Sequence, residues 1–136
     1  MDRLQSVLLI DDDEINNFLN KRLLHKLGIA HEVKVVMNGA EGIKYIEKIS
    51  NDGRQCPELI LLDINMPVMN GFEFLEAYDK LSFENKEKVV LVVLTTSTNF
   101  DDMQMLKNLK AKELLNKPLT EEKIMYIVKD KFNEKD

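Results

Sequence analysis

The chain has 136 residues, 44% of them apolar and 32% charged, with a formal net charge of -5. This length suits one domain with its own core, and the acidic balance argues against nonspecific binding to nucleic acid. A single cysteine, Cys56, excludes an internal disulfide and a thiolate metal cluster, and with no long apolar run near the start we expect a cytoplasmic protein without signal peptide or membrane span.

Short apolar runs alternate along the chain with longer segments whose apolar residues recur at helical spacing. Strands are predicted, in chain order, at Ser6–Ile10, Val33–Met37, Glu58–Leu62, Val89–Leu94 and Glu113–Asn116. Helices are predicted after each of them, at Glu14–Leu27, Ala40–Ile49, Gly71–Leu81, Asn99–Leu109 and Thr120–Phe132. The first helix is inferred from apolar residues at helical spacing, namely Ile15, Phe18, Leu19, Leu23 and Leu27.

Strict alternation of strands and helices predicts a parallel sheet with helices on both faces. Five such units in residues 1–136 indicate an α/β flavodoxin-like (βα)5 three-layer sandwich, a single domain with strand order 2-1-3-4-5. In this architecture, sites form beyond the carboxyl ends of the strands where the order reverses, here between the first and third strands. We expect loops at Ser50–Pro57 and Ser82–Lys88.

Polar residues with compatible chemistry follow four of the predicted strands. Asp11 and Asp12 follow the first strand, Asp63 the third, Thr95 the fourth and Lys117 the fifth. Clustered carboxylates repel one another unless a cation is present, and hard oxygen ligands suit Mg²⁺. A metal, a carboxylate nucleophile, a hydroxyl and a lysine together can stabilise a phosphoryl group in transfer. Asp13, the next acid after this pair, is expected to cap the first helix.

Four motifs, each ending a predicted strand, resemble the receiver domain of two-component response regulators over essentially the whole chain. They are Leu8-Leu9-Ile10-Asp11-Asp12, Leu61-Leu62-Asp63 with its continuation to Gly71, Leu94-Thr95 and Asn116-Lys117-Pro118. The resemblance implies a stand-alone receiver of the chemotaxis-regulator kind. Such a protein is not a metabolic enzyme, but it catalyses its own phosphoryl transfer and dephosphorylation.

The resemblance also implies roles for individual residues. Asp63 matches the phosphoacceptor, which receives a phosphoryl group from a sensor histidine kinase or a histidine phosphotransfer protein. Asp12 matches the direct Mg²⁺ ligand, Asp11 the carboxylate that acts through water, and Asn65 the residue whose backbone carbonyl completes the metal site. Lys117 matches the lysine that contacts the phosphoryl group.

The implied output is a change in protein–protein contacts with a downstream target. Thr95 matches the switch hydroxyl, and Asn65 and Ser97 match the positions that tune the phosphoryl lifetime. Leu114 stands where the family usually has Tyr or Phe, so we expect output to rely on Thr95 and loop motion without a ring rotation. A monomer, or a weak homodimer through the fourth helix, fifth strand and fifth helix, is expected.

Two other functions stay open at this point. In a small haloacid-dehalogenase-like phosphatase, Asp11 would be the nucleophile, but this class needs an acidic pair after the lysine, and only Glu121-Glu122 lie there, within a predicted helix. In a nonphosphorylated pseudo-receiver, the chain would act as a binding module. Leu114 favours this second alternative, and the complete set of acids, threonine and lysine opposes it.

Overall fold

The computed structural model describes residues 4–64, 71–95, 104 and 113–132, and in this part of the chain the strands form one parallel sheet. The strands are β1 (Leu4–Ile10), β2 (Ala30–Val36), β3 (Leu59–Asp63), β4 (Val90–Thr95) and β5 (Glu113–Asn116). Their order is β2-β1-β3-β4-β5, and every neighbouring pair is parallel. The predicted fold and strand order are therefore confirmed, although β2 begins at Ala30 rather than Val33.

The described helices follow the predicted positions closely. They are α1 (Glu14–Leu27), α2 (Gly39–Asn51), α3 (Gly71–Lys80) and a C-terminal helix (Glu121–Phe132). The α2 helix extends into the predicted loop at Ser50–Pro57, and a short 3₁₀ helix at Lys86–Lys88 lies within the other predicted loop. None of these helices is long and apolar enough to cross a membrane.

Some predicted features lie outside the described residues. Of the predicted helix Asn99–Leu109, only Gln104 is described, and it is helical. Asn65 and Ser97 are also outside the described part, so their implied roles stay predictions.

Polar side chains fix where two of the helices begin. The carboxylate of Asp13 accepts hydrogen bonds from the backbone N–H groups of Ile15 at 2.9 Å and Asn16 at 3.1 Å, which confirms the predicted cap of α1. Gly28 ends the same helix in the left-handed conformation, with φ of 63°. Thr120 accepts a hydrogen bond from the Lys123 N–H at 3.2 Å, so it caps the C-terminal helix, which begins at Glu121.

Apolar residues of the sheet alternate between two faces, and each face carries its own core. On one face Val7 and Leu9 pack with α1 and the C-terminal helix, while on the other Leu8 and Ile10 pack with α2 and α3. This arrangement gives the three layers expected from the sequence. All four residues are nearly inaccessible to solvent, as expected for a sheet covered on both sides.

The α1 helix does not bury all the apolar residues from which it was predicted. Leu24 is fully buried, whereas the exposed fractions of Ile15, Phe18 and Leu19 are 71%, 63% and 52%. At 3.6 residues per turn, these three side chains point about 120° to 180° away from Leu24, while Asn17 lies only about 20° from it. The first turns of α1 therefore direct an asparagine toward the sheet and an apolar patch toward solvent.

Candidate functional site

Three carboxylates meet where β1 and β3 end side by side. The two strands pair in register through Ile10 and Leu62, which brings Asp11 and Asp63 together at one edge of the sheet. One carboxylate oxygen from each of Asp11, Asp12 and Asp63 lies within 4.8 Å of the others. Asp11 and Asp63 are buried and Asp12 is exposed. This all-oxygen donor set, open to solvent on one side, fits a hard divalent cation that keeps part of its water shell, as Mg²⁺ does.

Asp11 is held through its backbone and through its side chain. Its N–H donates to the Val36 carbonyl at 3.2 Å, and its Oδ1 accepts from the Asp13 N–H at 3.0 Å. Burial raises the pKa of the Asp11 carboxyl from 3.8 to about 6. The hydrogen bond from the Asp13 N–H opposes this rise, the negative charge of Asp63 adds to it, and the positive charge of Lys117 opposes it. A carboxylate that is disfavoured in its charged form by burial and by a second carboxylate is stabilised by a cation.

Lys117 reaches the same carboxylates from the end of β5. Its Nζ lies 2.8 Å from Asp63 Oδ1 and 3.9 Å from Asp11 Oδ2. The lysine N–H donates to the Thr95 carbonyl at 3.0 Å, and the Lys117–Pro118 peptide bond is cis. The ammonium group is therefore positioned against the carboxylate oxygen of Asp63, on a loop anchored to β4.

Thr95 and Leu114 occupy the neighbouring strands. Thr95 is the last residue of β4, is 1% exposed and is paired with Asn116 of β5. Leu114 is half-buried and packs against the core on the side of α2 and α3, opposite Val93 in the strand register. The structure thus brings Asp11, Asp12, Asp63 and Lys117 into one site, with Thr95 at the end of the adjacent strand and Leu114 packed against the core.

Two residues that support the site, Asn17 and Lys123, are not predicted by any motif or spacing. The Lys123 Nζ donates to the carbonyls of Asn116 at 2.5 Å and Pro118 at 2.9 Å, which flank Lys117 in the chain. The Nδ2 of Asn17 donates to the Asp11 carbonyl at 2.8 Å. Both side chains bond to loop carbonyls whose direction depends on the folded structure, so no spacing rule identifies them.

The start of α3 packs directly behind Asp63. A Cβ atom placed on Gly71 would lie 2.6 Å from Ile64 Cα, closer than side chains approach a backbone. The Gly71 N–H also donates to the Ile64 carbonyl at 2.9 Å. Glycine at this position lets the helix approach the residue that follows the candidate nucleophile.

Comparison with known proteins gives consistent results for sequence and fold. The sequence model described as the response regulator receiver domain matches residues 7–129. A probable methanogenesis regulatory protein, FilR2 of Methanothrix harundinacea, is 28% identical over 124 residues, covering 91% of this chain and 79% of that protein.

Two solved structures extend the comparison. A two-component response regulator from Cytophaga hutchinsonii is 30% identical with a TM-score of 0.85, covering 98% of this chain and 100% of that one. The second structure is the receiver domain of the sensor histidine kinase PA1611 from Pseudomonas aeruginosa, solved with a magnesium ion coordinated in its active-site cleft. It is 23% identical with a TM-score of 0.77, and the match covers 96% of this chain and 98% of that one. At this identity, the second likeness establishes the fold alone.

Proposed function

Because this chain belongs to the response regulator receiver domain family, we propose that it accepts a phosphoryl group on Asp63 from a phosphohistidine of a partner protein. The observation that carries this proposal is the lysine contact: Lys117 Nζ lies 2.8 Å from Asp63 Oδ1, inside the cluster formed with Asp11 and Asp12. We further propose that residues 1–136 act as one receiver domain, which the single sheet of the described residues supports.

The proposed transfer is a direct displacement at phosphorus. A carboxylate oxygen of Asp63 attacks the phosphorus atom, the P–N bond to the partner's imidazole breaks, and the departing imidazole nitrogen keeps the electron pair and takes a proton from solvent. The ammonium group of Lys117 neutralises charge on the phosphoryl oxygens, and the Thr95 hydroxyl donates a hydrogen bond to one of them. Mg²⁺, held by Asp11, Asp12 and Asp63, would supply the remaining positive charge.

Asp63 is better placed than Asp11 to be the nucleophile. The Oδ1 of Asp11 accepts the Asp13 N–H at 3.0 Å, which ties this carboxylate to its own loop. Asp63 lies closer to the lysine than Asp11 does, at 2.8 Å against 3.9 Å. These contacts support the receiver reaction over a phosphatase reaction in which Asp11 forms the covalent bond.

A partner protein, rather than only a small phosphate donor, is supported by the apolar patch beside the site. The patch consists of Ile15, Phe18 and Leu19 on the first turns of α1, directly after the acidic loop. Exposed apolar side chains grouped on one helix face are typical of protein-binding surfaces. We propose that the donor, a sensor histidine kinase or a histidine phosphotransfer protein, contacts this patch.

Comparing two phosphoryl donors, a protein and a small molecule, distinguishes an effect on donor binding from an effect on the transfer reaction. Phe18→Ala is expected to slow transfer from a phosphorylated histidine phosphotransfer protein about tenfold or more, because the variant lacks the aromatic ring that the donor would bury when it binds. Labelling by acetyl phosphate, which needs no docking surface, should be unchanged. Tyr126→Ala, which removes an exposed aromatic ring from a different helix, is the matched control. Equal slowing with both donors would contradict the proposed docking role.

We propose that phosphorylation acts on the surface through Thr95 without rotation of an aromatic ring, since Leu114 replaces that ring. The half-buried leucine packs into the core on the side of α2 and α3. A structure of the protein with Mg²⁺ and beryllofluoride, a phosphoryl mimic, tests this proposal. The chain following Thr95 should change position while Leu114 keeps its packing, and an unchanged segment after Thr95 would refute it.

A further inference from the structure

We propose that Asn17 is a positioning residue of the acidic site: its side-chain amide holds the Asp11–Asp12 peptide so that the carboxylates converge on one cation. This inference rests on the proposed function, because it assigns a role in the cation site used for phosphoryl transfer. It concerns a residue of α1 that lies outside the carboxylate cluster itself.

The contacts of Asn17 connect the buried face of α1 to the acidic loop. Asn17 is 5% exposed, and its Nδ2 donates to the Asp11 carbonyl at 2.8 Å, with Met37 Sδ at 3.6 Å. Leu24, on the same helix face, is fully buried and belongs to the apolar core. The position is thus a core position of the helix, where an apolar side chain would be expected.

The oxygen atom of the Asn17 side-chain amide is buried without a hydrogen bond to any described residue, which is unfavourable. Its Oδ1 has no hydrogen-bond partner among the described residues, although it is closed off from solvent. An unpaired amide oxygen inside a protein opposes folding, whereas leucine has the same branching and no polar atom. The cost of this buried oxygen offsets the stabilising bond from Nδ2 to the Asp11 carbonyl, so stability of the fold alone gives asparagine little advantage over leucine here, which indicates that the amide donor serves another purpose.

That purpose follows from the planarity of the peptide bond. The carbonyl that Asn17 holds belongs to the peptide whose nitrogen is that of Asp12, so fixing the carbonyl direction also fixes the direction in which the chain enters Asp12. On its other side, Asp11 is fixed by its N–H bond to Val36. With Asp13 also bonded to the Asp11 carboxylate, the loop carrying both acids is held at three points.

A leucine substitution tests the proposal directly. In Asn17→Leu, we expect the dissociation constant for Mg²⁺, measured by calorimetric titration, to rise about tenfold, as is usual when groups that orient metal ligands are removed. Labelling of Asp63 by acetyl phosphate should fall in proportion at subsaturating Mg²⁺ and return toward the wild-type rate at saturating Mg²⁺. The melting temperature in EDTA should stay close to that of the wild type, since removal of the unpaired oxygen offsets the lost bond to the Asp11 carbonyl.

Control variants distinguish positioning from general damage. Asn20→Leu makes the same chemical change one turn further along α1 and should leave Mg²⁺ affinity unchanged. If Asn17→Leu does not fold, Asn17→Ala provides the measurement: it should melt at a lower temperature because of the cavity it leaves, yet show the same tenfold loss of Mg²⁺ affinity.

Failure of this inference differs from failure of the proposed function. Wild-type affinity for Mg²⁺ in a folded Asn17 variant would overturn the positioning role while leaving the proposed function in place. A wild-type protein that neither binds Mg²⁺ nor becomes labelled on Asp63 would instead overturn the proposed function. Loss of Mg²⁺ affinity in both Asn17→Leu and Asn20→Leu would also overturn the positioning role, because the effect would then not depend on the bond to Asp11.

Discussion

Replacing Asp11 by asparagine should stabilise the protein at neutral pH when no divalent cation is present. Burial and the neighbouring Asp63 raise the pKa of Asp11 from 3.8 to about 6 despite the opposing effects of Asp13 and Lys117. A difference of this size corresponds to about 3 kcal/mol against the charged form in the folded protein. Solvent screening at the rim of the sheet lowers the expected effect to about 2 kcal/mol.

The dependence on pH has a definite sign. Because the folded protein binds the Asp11 proton more tightly than the unfolded chain does, stability is lost as the pH rises from about 4 through about 6. In Asp11→Asn this loss is absent, since asparagine carries no proton to release. The variant should therefore exceed the wild type by about 2 kcal/mol at about pH 7.5, or roughly 8 °C in melting temperature for a domain of this size, and match it at about pH 3, below both pKa values.

Urea and thermal unfolding in EDTA, at both pH values, measure this difference. Asp79→Asn, which removes an exposed acid from α3, controls for the change in net charge and should have little effect. With saturating Mg²⁺, the wild type should regain stability through cation binding, and Asp11→Asn should gain less. An Asp11→Asn variant that is no more stable than the wild type at about pH 7.5 in EDTA would refute the argument that uncompensated carboxylate charge is buried at this site.

Three further perturbations probe the site and its support. Lys117→Met should slow labelling of Asp63 by acetyl phosphate about 100-fold, because the ammonium group 2.8 Å from Asp63 is lost; a rate near the wild type would exclude a role for the lysine in transfer. Gly71→Ala should lower the free energy of unfolding in urea by about 2 kcal/mol, since its Cβ would lie 2.6 Å from Ile64 Cα, and an unchanged value would contradict that close packing. Calorimetric titration should show Mg²⁺ affinity falling about tenfold per pH unit below about pH 6 in the wild type, where a proton competes for Asp11, and a flat profile there would contradict this competition.

Most of the fold could be predicted because its buried strands have a simple sequence signature. Continuous runs of Val, Ile and Leu in β1, β3 and β4 reflect burial on both faces of the sheet. The edge strand β2 was placed less well, because its first residues after Ala30 are the exposed His31 and Glu32 and do not form an apolar run. An edge strand is only partly covered, so its composition approaches that of a loop.

The rotation of α1 about its axis was not determined by the spacing of its apolar residues. Ile15, Phe18 and Leu19 recur at helical spacing as the buried residues do, but they form a separate surface that faces solvent. Contacts of Leu24 with the sheet, which depend on tertiary packing, decide which surface is buried. Helical spacing predicts that a helix is present, but it does not predict which side of the helix packs against the sheet.

The acids and the lysine could be predicted because the carboxyl ends of parallel strands all lie at the same edge of the sheet. Asp11, Asp63 and Lys117 each stand directly after a predicted strand, and the structure brings their charged atoms together. Asn17 and Lys123 were missed because each acts by donating to a backbone carbonyl. The path of those loops is a property of the folded chain, and asparagine or lysine within a helix carries no signal of it.

Locating the phosphoryl group after reaction with acetyl phosphate and Mg²⁺ tests the central claim most directly. Borohydride reduction of the modified protein converts an aspartyl phosphate to homoserine, and peptide mass spectrometry then identifies the residue. Modification of Asp63, absent in Asp63→Asn and dependent on Mg²⁺, is the predicted result. Modification of Asp11 would indicate the phosphatase reaction, no modification would indicate a binding module, and either outcome would contradict Asp63 as the phosphoacceptor.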